Sequence, residues 1–202
     1  MMGFKGAIGV MALSVLMACG GGRGDIAQTP DQSGPVATPM RWDHLPNGAA
    51  WTQTAFAALD DQGAALLTLV PQDIDTWCPA YTGGTTQMRR AFWTGMLSSL
   101  AKHESTWRQD AVGGNGRWFG LVQIAPATAR GYGCAAGLGA ELKNGHANIN
   151  CAIRIWAHTV PRDGVVSAGF QGIAADWGPF HQASKRQDMR NWIRAQPYCA
   201  QP

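Results

Sequence analysis

The stretch LAKHESTWRQD, Leu100 to Asp110, sets one glutamate between a histidine and a serine. Three chemistries use such residues. A zincin-type metal site needs HExxH, which puts two histidines on one helical face, but the second would stand at 107, where the chain has Trp107. His44, His146, His158 and His181 have no ligand spacing, and no CxxC pair occurs, so neither a metal nor a cofactor is expected. A serine nucleophile needs a sharp turn around it and a base beside it; Ser105 lacks the nucleophile-elbow pattern and evident His and Asp partners. A general acid needs less: one carboxyl held where water is scarce, so that its charged form is disfavoured and it keeps a proton near neutrality. The chain has two glutamates, and Glu141, in GLGAELKNG beside Lys143, reads as part of an exposed loop. Glu104 is therefore the candidate acid; the alternative is that it ends a helix and pairs with Lys102 or Arg108.

The elements around it are helical. Met88, Phe92, Met96, Leu97, Leu100 and Trp107 recur at spacings of three and four, which predicts a helix over 86–107 with Arg89, Arg90, Ser98 and Lys102 off the apolar stripe. Glu104 lies four residues beyond Leu100, on the stripe, so it points inward. Ala49 to Leu69 reads as one interrupted or two short helices broken near Gly63 and stopped by Pro71. AVGGNGRWFGLVQIAPATARGYG, 111–133, is a Gly-rich turn, a short apolar segment and a helix opened by Pro126 and closed near Gly131 or Gly133. Gly113, Gly114 and Gly116 read as turn formers. Trp118 within this loop is the aromatic residue expected to face a bound substrate. A helix over 148–160 buries Ile149, Ala152, Ile153, Trp156 and Val160, and a last helix starts at Ser184, capped with Gln187, and buries Met189, Trp192 and Ile193. Strand signals are nearly absent, so the fold class is mainly α with at most a small β element.

HESTW followed by GLVQIAPATA resembles the E-S and G-L-x-Q-I-x-P-x-T-A motifs of the Slt-type soluble lytic transglycosylases, relatives of goose-type lysozyme that cleave peptidoglycan. NINCAI, from Asn148, is similar to the family's N-I-x-x-G segment with Ala152 in the glycine's place, and the likeness covers roughly 88–177. The resemblance implies a lysozyme-like helical domain in which Glu104 is catalytic acid and base, Ser105 helps to position the reacting group and Gln123 lines the glycan groove. The family's tyrosine-bearing Y-N-A-G motif is missing: the region reads SAGFQGIAADWGPFH, where Trp177 or Phe170 takes that role, or no residue does. The implied reaction cleaves the bond between N-acetylmuramic acid (MurNAc) and N-acetylglucosamine (GlcNAc) and leaves 1,6-anhydro ends. A hydrolytic muramidase, which needs a second carboxylate such as Asp110 or Asp176, and a non-catalytic peptidoglycan-binding lipoprotein are the alternatives.

The rest of the chain suggests where such a protein works. At 202 residues and 46% hydrophobic composition it suits one domain plus some non-domain sequence. A formal charge of +3, with one unit contributed by Lys5, is too mild for nucleic acid. MMGFKGAIGVMALSVLMAC pairs a positive start with a short apolar run, as export signals do, and Leu16-Met17-Ala18-Cys19 resembles a lipobox. The expectation is a signal peptide over 1–18, lipidation at Cys19, a Gly- and Pro-rich tether over 19–48 and a domain over 49–202. The partners are then peptidoglycan strands and a membrane through the lipid anchor; Gly20 resembles the sorting position for the periplasmic face of a Gram-negative outer membrane. The four other cysteines allow three pairings in an exported chain, of which Cys134 with Cys151 and Cys78 with Cys199 are preferred.

Overall fold

A computed structural model describes residues 36–200. The proposed signal peptide, Cys19 and most of the tether lie outside the described residues. Eight α-helices dominate: α1 (Gly48–Asp60), α2 (Ala64–Thr68), α3 (Ile74–Trp77), α4 (Thr86–Ser105), α5 (Pro126–Gly131), α6 (Gly139–Leu142), α7 (Gly145–Asp163) and α8 (Ala183–Arg194). Three short 3-10 turns, Ala168–Phe170, Gly172–Ala175 and Gly178–His181, link α7 to α8. The strands β1 (Val112–Gly113) and β2 (Trp118–Phe119) pair antiparallel, Val112 opposite Phe119 and Gly113 opposite Trp118. This is the mainly helical class with one small β element that the residue pattern predicts.

The organising element is α4. Thr85 caps it, its hydroxyl accepting from Met88 N at 3.3 Å. Every residue from Ala91 to Leu100 is buried, including Thr94, Ser98 and Ser99. Arg89, Arg90 and Lys102 are half-exposed towards the ends of α4, as the pattern predicts, but Ser98 is not on a wet face, because the middle of the helix is enclosed by its neighbours. Ser98 Oγ instead donates to Gly95 O and accepts from Arg41 N. α1, α2 and α8 pack on α4, and α7 packs on α1 and α2. Trp93 sits at the centre, edge-on to Phe92, its Nε1 donating to Leu66 O at 2.9 Å.

Several expected boundaries move. The domain starts before residue 49, because Met40 and Trp42 are buried and Arg41 pairs with Asp188 on α8. The helix expected over 86–107 ends at Ser105, where Thr106 and Trp107 turn into the left-handed region at φ 54° and 58°. That reversal lets Trp107 fold back and donate from Nε1 to Ser98 O at 2.8 Å, so Trp107 flanks His44 and takes no part in lining the cleft at Glu104. α7 begins at Gly145, three residues early, since the Asn144 side chain caps it through Ala147 N. α8 begins at Ala183 with no side-chain cap; Gln187 bonds Asn191, and Trp192 is only half-buried. Glu141 lies in the first turn of α6 and accepts from Gly137 N and Leu138 N, a capping role the loop reading missed.

Both preferred disulfides form. Cys78 joins Cys199 across 121 residues, tying the end of α3 to the C-terminal turn, and Cys134 joins Cys151, tying the segment after α5 to α7.

Candidate active site

Glu104 is in the last turn of α4, where the helix emerges from the core. It opens on a cleft of about 280 Å³ shared with His103, Trp118, Gln123, Asp176, Trp177 and Lys185. The residue as a whole is half-buried, yet the cleft walls strip water from its carboxyl. Among the described residues nothing donates a hydrogen bond to that carboxyl or pairs with it. Lys102 is drawn away to Asp188 at 3.2 Å, and Arg108 bonds Ser105 O, so the pairing that would make Glu104 an ordinary helix-end charge is not formed. Burial pushes the Glu104 pKa from 4.5 up to about 7, with Lys185 pulling weakly the other way.

The facing wall is the loop from Ala111 to Ala125, and four side chains, Ser105, Asn148, Gln123 and Trp177, hold it. Ser105 Oγ donates its single proton to Leu121 O at 2.7 Å and lies 3.3 Å from Ala101 O. Its hydroxyl is thus turned into the protein and lines none of the cleft, in contrast to the expected substrate contact; it joins the acid's helix to the facing loop. Asn148, fully buried on α7, accepts from Val122 N and donates to Phe119 O and Leu142 O, all at 3.0 Å. Gly120, at φ +84°, lies against this amide, and a Cβ there would collide with Asn148 and Leu142 O. Gln123, at φ 53°, donates from Nε2 to Gly120 O and Ala111 O and lines the cleft.

Trp118 is 44% exposed at the rim. Gly114, at φ +56°, leaves room for its ring, which occupies the place of a Gly114 side chain, and Arg117 stacks on it with 5.2 Å to the ring centroid. Trp177 also lines the cleft but is 4% exposed, with Nε1 donating to Val122 O at 2.8 Å, so it supports the loop more than it offers a face. Phe170 lies on a different cavity, stacked on His181. Of the two candidate second carboxylates, Asp176 lines the cleft and accepts from Tyr132 Oη at 3.3 Å; burial raises its pKa. Asp110 does not line it.

Residue reasoning passed over His103, Asp188 and Asn148. His103 lines the cleft, and its Nε2 is 2.7 Å from Asp188, which also binds Arg41 through both oxygens. Arg41 first, then His103 and Lys102, hold the Asp188 carboxyl well below the usual range, while burial lowers the His103 pKa. Partners so distant in sequence leave no local pattern. Asn148 had a signal, as the first residue of NINCAI. Among the described residues no group of three or more His, Cys, Asp or Glu side chains could hold a metal ion.

A helical domain around one buried helix, with a small hairpin facing a desolvated glutamate across a cleft, defines a lysozyme-like fold. Residues 80–165 match the family model described as Transglycosylase SLT domain, a span that includes α4, Glu104, the facing loop and Asn148. Among curated proteins no sequence matches. Among solved structures, a glutamate-to-glutamine mutant of Bd0314 DslA matches with a TM-score of 0.72 at 27% identity, covering 81% of this chain and 98% of its own. The wild-type form 2 of Bd0314 DslA matches with a TM-score of 0.67 at 26% identity, covering 80% and 97%.

Proposed function

We propose that this protein is a peptidoglycan lytic transglycosylase that cleaves the β-1,4 bond from MurNAc to GlcNAc and leaves 1,6-anhydro-MurNAc ends. The observation that carries this reading is the Glu104 carboxyl: buried in a cleft wall, unpaired, and protonated near neutrality. The match of residues 80–165 to the transglycosylase domain supports it. Glu104 donates its proton to the glycosidic oxygen as the C1–O bond breaks, giving an oxocarbenium-like MurNAc and a free GlcNAc hydroxyl. The carboxylate so formed takes the proton of the MurNAc 6-hydroxyl while that oxygen bonds to C1, which closes the anhydro ring and reprotonates Glu104. No water is consumed, so one carboxyl serves both steps. Trp118 offers a ring face to a sugar at the rim, and Gln123 borders the groove.

A second reading has one observation behind it: Asp176 lines the same cleft, and a hydrolytic muramidase uses two carboxyls. Mass analysis of muropeptides from digested sacculi separates the two. Anhydro ends support the transglycosylase; only reducing ends would mean hydrolysis assisted by Asp176. A protein that binds the polymer without cutting it would clear walls no better than its Glu104→Gln variant.

The proposed site of action is the cell envelope, with Cys19 lipidated and the following segment as a tether. The apolar run before Cys19 and the lipobox-like Leu16-Met17-Ala18-Cys19 support this. Cys19→Ala should move the protein out of the membrane fraction; retention there would rule the anchor out.

A further inference from the structure

A second cavity, of about 290 Å³, lies between α3, the turn after Val166 and the outer face of α8, and includes Asp73, Trp77, Phe170, Arg186 and Arg190. We infer that it is a subsite for an acidic peptide, whose carboxylates bind Arg186 and Arg190 while an aliphatic side chain packs on Phe170. Naming the peptide branch of peptidoglycan as its source rests on the function proposed above.

Charge is the first argument. Arg186, Arg190 and Arg194 recur every four residues on α8, about 6 Å apart along the helix axis. Like charges at this spacing repel, so the row disfavours the helix unless an anion lies over it. Among the described residues none of the three pairs with a carboxylate. Arg186 donates to Phe180 O, and Arg194 donates to Asp75 O and Thr76 O, which are neutral carbonyls. Arg190 lies over Trp77 with 5.3 Å to the ring centroid, donates from Nη1 to the neutral Gln187 Oε1 at 3.4 Å, and its buried Nε has no partner. Asp73 is the nearby acid, but its two oxygens accept from Val166 N, Ser167 N and Ala168 N. Guanidinium donors are thus left over at a concave wall, and a guanidinium matches a carboxylate in bidentate geometry.

Shape and strain are the second. Phe170 is 55% exposed at φ 61°, a conformation unfavourable for an aromatic residue, and its ring is stacked on His181 at 4.6 Å. Asp73 holds the turn that presents it. An apolar face beside two guanidinium groups that lack a carboxylate partner suits a chain that alternates aliphatic and carboxylate groups. A concave site takes a chain better than it takes a flat bilayer. Arg186 of this cavity directly follows Lys185 of the Glu104 cleft, so the start of α8 contributes to both sites.

Isolated peptidoglycan stem tetrapeptide, titrated into the protein by NMR or calorimetry, tests this without any cleavage. Wild type and Glu104→Gln should bind alike, and Arg186→Gln with Arg190→Gln should bind at least about tenfold more weakly, as expected for lost charge-assisted hydrogen bonds. Because Arg190 also packs on Trp77, Arg186→Gln alone is the control for folding, and it should weaken binding by about threefold. In turnover, the double variant should raise KM for peptide-bearing strands and leave amidase-stripped glycan unaffected. No peptide binding by wild type, binding indifferent to both arginines, or binding only to phosphatidylglycerol vesicles would each overturn the subsite. If wild type binds peptide but cleaves neither strand, the transglycosylase reading fails and the subsite stands.

Discussion

One carboxyl sets the behaviour of the cleft, and its chemistry ties activity to stability. Because the Glu104 pKa is raised from 4.5 to about 7 on folding, the folded chain holds this proton more tightly than the unfolded chain. Its contribution to stability is therefore least unfavourable below pH 4.5 and worsens as pH rises towards 7, reaching about 2 to 3 kcal/mol. Glu104→Gln removes that penalty. The variant should be more stable than wild type to urea at pH 8 by up to that amount, with the difference vanishing near pH 4.5, and should lose all wall-cleaving activity. Wild-type kcat should fall as pH rises through about 7, when the acid loses its proton. Ser105 differs. Ser105→Ala leaves Leu121 O without its donor and should cost about 1 to 2 kcal/mol in urea melts, with far less effect on kcat than Glu104→Gln.

At the scale of elements, the cleft depends on a loop whose backbone is satisfied by distant side chains, Ser105, Trp177 and above all Asn148. Asn148 makes three hydrogen bonds to the 119–122 segment and to Leu142 from a fully buried position on α7. Asn148→Ala strands Leu142 O and Val122 N and leaves Phe119 O with only its bond from Ile124 N, which should destabilise the protein by about 2 to 3 kcal/mol and speed amide exchange at Val122. Asn148→Asp keeps the shape but loses a donor and buries a charge, so it should be no better. The Gly-rich turn was legible, because Gly113 and Gly114 precede Trp118 at hairpin spacing; that Gly114 makes room for the Trp118 ring was not, since ring placement follows from the fold.

For the molecule as a whole, the two disulfides differ in what they close. In the chain-entropy model the Cys78–Cys199 bridge, across 121 residues, contributes about 5 kcal/mol, and Cys134–Cys151, across 17, about 3 kcal/mol. Replacing the first pair with Ala should lower the unfolding midpoint more than replacing the second. The first bridge also closes the domain around α4, whose surroundings come from both chain ends: Arg41 from the N-terminal segment and Asp188 from α8 meet beside His103.

Local pattern alone determined much here. Helical periodicity located α4, capping and turn residues marked α5 and the break between α1 and α2, the four cysteines other than Cys19 suggested two bridges, and an acid on an apolar stripe marked Glu104. These are properties of neighbours within a few turns, where covalent spacing dictates which side chains share a face. Tertiary structure decided the rest. It buried the middle of α4 on all sides, so that Ser98 needed no water; it turned the Ser105 hydroxyl inward, separated Phe170 from the cleft and placed Asp176 in it. It also drew Lys102 towards Asp188, leaving Glu104 unpaired. Desolvation and ion pairing act through space, and residues 85 positions apart, such as His103 and Asp188, come within 2.7 Å only after the chain has folded.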